Sequence, residues 1–266
     1  MGRVIRTLPE GEPIRGVTAL DNCLYVFRGN MTSKQIEVYD VDSFHFLNTL
    51  TVPGLYNAVD IVACGYNRCV YISDSGGRSV RRLALSGSVV TRWPVDDIPS
   101  CLSHTAKHSV LVTCRKARVM KEFSTDGQLL SHIALSVGSP LHTVRMPSGK
   151  LIVLHGHHRV CLIGSDGQVV NSYGGPKGSG CHQLHTPAHM AVDENGCVFI
   201  VDRNNYRVLL LSPTLTYIRE LLSPEQLEWK PYRISLDVKR RRLYVAVDEH
   251  IEDGDYTAGR VIVVSI

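Results

Sequence analysis

Asp60, Cys101, His142 and His189 are side chains of the kind that hold transition-metal ions, and they recur at intervals of 41, 41 and 47 residues. Three of them stand two residues after a proline, in Pro99-Ser100-Cys101, Pro140-Leu141-His142 and Pro187-Ala188-His189. Carboxylate, thiolate and imidazole all bind zinc at about 2.0–2.3 Å, and three or four converging on one ion would give a Lewis acid able to activate water. The same spacing puts Arg15 after Pro13 and Arg233 after Pro231, so cations flank the series. A zinc-dependent enzyme is therefore the catalytic alternative. The simpler expectation is that these residues pack around one mouth of the fold with no cofactor.

Other catalytic signatures are missing. The chain has no Cys-x-x-Cys pair, no glycine-rich phosphate loop and no Gly-x-Ser-x-Gly elbow. His155-Gly156-His157-His158-Arg159 has the look of a metal tract, but without an acidic partner it reads as solvated loop. The eight cysteines are scattered, and Cys23, Cys69 and Cys197 fall in one repeated slot, which suits reduced packing residues in separate units.

The elements that position these residues follow from a repeat. Strand-like apolar segments start at Leu24, Val70, Val110, Leu151, Val198 and Leu243, at steps of 46, 40, 41, 47 and 45 residues. That period is the length of a four-stranded propeller blade. Each copy places Arg15, Asp60, Cys101, His142, His189 or Arg233 nine or ten residues before this strand. A third strand opens with Arg-Val at Arg118, Arg159, Arg207 and Arg260, and a fourth follows, as in Leu129 to Leu135 and Leu215 to Leu221. The expected fold is all-β, a six-bladed β-propeller of four-stranded antiparallel blades in one domain spanning residues 1–266. The sixth copy ends on its third strand, so Arg3 to Leu8 is expected to pair with Val261 to Ile266 and close the ring.

Blade five, HMAVDENGCVFIVDRNNYRVLLL from His189, is similar to an NHL repeat: an Ala-Val-Asp turn, Gly196, a strand, Asp202, Asn205 and Arg207-Val208. Blades two and four fit less closely, and the others keep chiefly the spacing. The resemblance implies a role like that of the C-terminal NHL domain of tripartite-motif (TRIM-NHL) ubiquitin ligases, whose similar domains recognise protein or RNA. It also extends to peptidyl-α-hydroxyglycine amidating lyase, a zinc enzyme with three histidines at prolyl-x-His positions, of which only His142 and His189 match; this likeness implies, as the alternative, a zinc-dependent lyase or hydrolase. With no RING module in this chain, ubiquitin transfer would need one from elsewhere. Asp202 and Arg207 are expected to order the loop between them by a charge-assisted hydrogen bond.

Charge is modest, +4, too small to declare a nucleic-acid protein. Its placement says more. The loops after the second strands carry Arg28, Arg78, Arg115, Lys116, Arg118, Arg159, Arg203 and Arg207, with His157, His158 and Tyr206, and share a face with Arg15 and Arg233. Asp248, Glu249, Glu252, Asp253 and Asp255 oppose them in blade six. A non-catalytic module that binds a protein partner through this face is the leading expectation. Single-stranded RNA on the basic loops is the alternative, and neither DNA nor membrane is expected. No secretory signal opens the chain, so the cytoplasm is the expected compartment.

Overall fold

The computed structural model describes residues 2–29, 34–86, 90–250 and 256–266. Glu252, Asp253 and Asp255 of the expected acidic loop lie outside the described residues. Six four-stranded antiparallel sheets form the blades of a β-propeller. Their inner strands are Ile14–Leu20, Ala58–Cys64, Pro99–His104, Pro140–Arg145, Pro187–Val192 and Lys230–Asp237. The N-terminal strand Arg3–Thr7 is the outer strand of blade six, with Arg3 opposite Ser265 and Thr7 opposite Ile262. Leu8 then donates its backbone N–H to the Val261 carbonyl and buries its side chain.

The second strand of each blade is apolar on both faces because blades stack face to face. In Cys69–Asp74, Val70 and Ile72 pack with Tyr25, Phe27 and Ile36 of blade one. Cys69 and Tyr71 pack with Val110 and Val112 of blade three. The period of two thus sorts one strand between two cores, and every seam, including that between blades six and one, has its own apolar cluster. Each fully buried Leu, Ile or Val in these layers contributes about 1.5–3 kcal/mol. Of the three same-slot cysteines, Cys69 is buried and Cys23 and Cys197 are half-buried, all as free thiols.

One expectation fails in blade six. Its second strand, Arg242–His250, takes in Asp248 and Glu249 of the expected loop, and its third is Tyr256–Ser265. Asp248, expected among exposed loop acids, is 2% exposed, and its Oδ1 accepts the Ile14 N–H at 3.1 Å across the closing seam. Burial pushes its carboxyl up to about 6, against the pull of that hydrogen bond and of Arg15.

Candidate functional site

Each inner strand carries a β-bulge beside its axial residue, as at Ala58/Asp60, Pro140/His142, Pro187/His189 and Pro231/Arg233. A bulge re-aims one side chain and leaves backbone groups off the ladder. The bulged side chains gather at the axis. Asp60, Cys101, His142, His189 and Arg233 are all buried, and Arg15 is half-buried with its Nε donating to the Gly29 carbonyl.

These residues latch one blade to the next. The Leu102 N–H donates to Asp60 Oδ2 at 2.9 Å, the Met190 N–H to His142 Nδ1 at 3.4 Å, and the Ile234 N–H to His189 Nδ1 at 3.4 Å. In each case the axial side chain of one blade receives the N–H that follows the axial residue of the next blade. Because a backbone N–H only donates, both Nδ1 atoms are acceptors, and the proton of each imidazole sits on Nε2. His142 Nε2 then donates to the Leu102 carbonyl at 3.1 Å, and His189 Nε2 to Asp60 Oδ2 at 3.4 Å. The two rings stack, with centroids 4.2 Å apart. Burial holds both imidazoles below the usual histidine range and therefore neutral at neutral pH. Burial alone would raise Asp60, yet His189 and the Arg233 guanidinium, 3.4 Å from its Oδ1, bring it down to about 2.

Zinc was the catalytic alternative here. Ligand atoms of Cys101, His142 and His189 do lie within 4.8 Å of one another. The donors nonetheless do not fit an ion in this arrangement: neither imidazole offers a free lone pair, and burial pushes the Cys101 thiol up to about 12, away from the thiolate that binds zinc.

On the loop face, Arg78, Arg115, Lys116, Arg118, His157 and Arg159 are exposed, and His158, Arg203 and Tyr206 are half-buried. His158 Nδ1 accepts the Thr186 N–H. Arg28 and Arg233, expected on this surface, are instead buried. Arg28 donates to Glu37 and to the carbonyls of Pro9, Glu12 and Gly259; Arg233 donates to those of Val59 and Tyr232. Arg207 is engaged by Asp202 at 2.7 Å, as the loop-ordering expectation required, and by the carbonyls of Ser179 and Gln183. Asp202 also accepts the His185 N–H. Blade two has a like pair, Arg81 with Asp74 at 3.4 Å, but Arg81 stands two residues further along the third strand than Arg207 does, where Ser79 takes the place opposite Asp74. In blade one the charges of blade two are exchanged, with Arg28 where Asp74 stands and Glu37 where Arg81 stands.

Fold and axial ring together define a six-bladed β-propeller. Virginiamycin B lyase from Staphylococcus aureus superposes with a TM-score of 0.66 at 10% identity, covering 98% of this chain and 99% of that one. A streptogramin B lyase structure gives 0.65 at 12% identity over 96% of this chain and 83% of that chain. The β-propeller domain of Cps50 (Swd1) from Myceliophteria thermophila gives 0.63 at 11% identity over 95% and 84%. At such identities the likeness is one of fold. No family model matches the sequence, and no curated protein matches it.

Proposed function

We propose that the chain is a non-catalytic recognition module that binds a protein partner through the face bearing Arg15, Arg78 and Tyr206, in the manner of the substrate-recruiting NHL domain of a tripartite-motif ubiquitin ligase acting in the cytoplasm. The observation that carries the reading is a cation–aromatic cluster at the corner of blades five and six. The Arg203 guanidinium lies 5.3 Å from the Tyr232 ring centre, Arg233 lies 4.0 Å from the same centre, and the Lys230 ammonium lies 5.8 Å from that of Tyr206. Arg and Tyr dominate binding hot spots, and side chains already held against one another lose little freedom on binding.

Peptides selected from a random display library on the immobilised protein should lose about tenfold or more in affinity on Arg203→Ala and on Tyr206→Ala. Failure to select any peptide, or equal binding by both variants, would end the reading. A second reading, single-stranded RNA, is favoured by the exposed run Arg115, Lys116 and Arg118. Oligonucleotide affinity should then fall steeply with salt, and a triple Glu substitution there should abolish it. A lyase reading draws on the names of two neighbours and on His142 and His189; the hydrogen bonds on all four of their ring nitrogens argue against it.

A further inference from the structure

The axial ring closes one end of the central channel, and the opposite end is open. A cavity of about 800 Å³ starts at His142 and His189 and runs to the turns that join first and second strands, such as Thr105-Ala106-Lys107 and Asp193-Glu194. Its volume falls in the 300–1,000 Å³ range typical of small-molecule sites. It therefore faces away from the loop surface discussed above. The walls are mostly apolar: Val17, Val62, Val144, Ala191 and Ile234 come from five different blades.

The charged groups of the lining come from blades three to five. Arg145, its side chain 30% exposed, lines the cavity and donates from Nη2 to Glu122 Oε2 at 2.8 Å. A guanidinium carries five N–H donors, so an acceptor on a ligand can take a charge-assisted hydrogen bond from it. The ionic balance of the lining is three acids, Glu122, Asp193 and Glu194, against Lys107 and Arg145. That excess disfavours a carboxylate ligand.

We propose that this channel is a binding cup for an uncharged, largely apolar small molecule bearing a carbonyl-type acceptor, seated against Arg145. The cup is independent of the protein-binding reading, since it opens on the other face of the propeller.

The test uses 2-octanone as the uncharged probe and octanoate as the charged one, with binding followed by saturation-transfer NMR on the full chain. 2-Octanone should bind more tightly than octanoate, Ala191→Trp should abolish binding by filling the cup, and Arg145→Met should weaken 2-octanone about tenfold. Circular dichroism checks that each variant is folded. Should Ala191→Trp fail to fold, Val144→Phe serves as the filling variant. Absence of 2-octanone binding to the wild-type chain, preference for octanoate, or binding unchanged in a folded filling variant would each overturn the proposal.

Discussion

His189 and Asp60 stand 129 residues apart in sequence, yet the imidazole Nε2 of one lies 3.4 Å from the carboxylate Oδ2 of the other. Through its other nitrogen His189 takes the N–H of Ile234, so one ring ties blade five to blades two and six. Replacing it by alanine leaves a buried carboxylate short of a donor and a buried N–H without an acceptor. His189→Ala should therefore destabilise by about 2–5 kcal/mol in chemical denaturation. His189→Asn, with one acceptor and one donor, should recover part of the loss. Equal stability of the alanine variant and the wild type would show that the latch contributes nothing.

The same network yields a metal prediction. Because both imidazoles are held by hydrogen bonds, purified protein should carry far less than one zinc per chain, and a chelator should leave its melting temperature unchanged. Elemental analysis showing one ion per chain, lost in His142→Ala, would restore the zinc enzyme reading.

Asp248 sets a pH dependence of the opposite sign from that of an ordinary ion-paired carboxylate. Its folded pKa, about 6, lies above the unfolded value of about 3.9, so the folded state binds the extra proton between these limits. Its contribution is most favourable below about pH 4, declines as pH rises to about 6, and is flat beyond. Asp248→Asn keeps an acceptor for the Ile14 N–H and removes the buried charge. At pH 7 it should gain about 1–3 kcal/mol over wild type, and the gain should vanish near pH 4. A variant no more stable than wild type at pH 7 would contradict the assigned burial cost.

The fold was legible because blade stacking imposes a pattern local enough to read. Every second strand is sandwiched, so apolar runs such as Val198 to Val201 recur with the blade, and the bulge beside each axial residue keeps that residue nine or ten positions before the run. Ring closure was legible for the same reason: Arg3–Thr7 completes a blade that otherwise lacks its fourth strand. The destination of individual charges was not legible. Arg28 and Arg118 are both expected in the loop after a second strand, yet Arg28 lies inside the strand Cys23–Gly29 and is 4% exposed, whereas Arg118 sits in the turn and is exposed. What separates them is a set of carbonyls supplied by Pro9, Glu12 and Gly259, two from the N-terminal segment and one from the far end of the chain. The cup was invisible for a similar reason, since its walls come from strands of different blades.

Closure can be tested by truncation. Removing residues 1–8 uncovers the Ile262–Ser265 edge and withdraws Leu8 from its core cluster. Loss of a buried Leu alone costs about 2–5 kcal/mol, and the bared edge adds a route to aggregation. The truncated chain should melt lower and aggregate sooner in light scattering. A melting temperature equal to that of the full chain would mean that the strand is dispensable.

The exchanged pair in blade one gives the last expectation. Arg28 and Glu37 are joined at 2.6 Å with the arginine buried, whereas Arg115, Lys116 and Arg118 extend into solvent. Removing the buried Arg28 leaves the half-buried Glu37 carboxylate without its cation and three carbonyls without their donor. Arg28→Ala should therefore cost about 3–5 kcal/mol, while alanine at Arg115, Lys116 or Arg118 should change stability by no more than about 0.5 kcal/mol. Exchanging the charges, Arg28→Asp with Glu37→Arg, imitates blade two, where Arg81 pairs with Asp74 and also donates to the carbonyls of Pro53 and Gly54, so it should recover part of the loss in urea denaturation. An exchanged variant no more stable than Arg28→Ala would show that the two blades do not share one interchangeable pair.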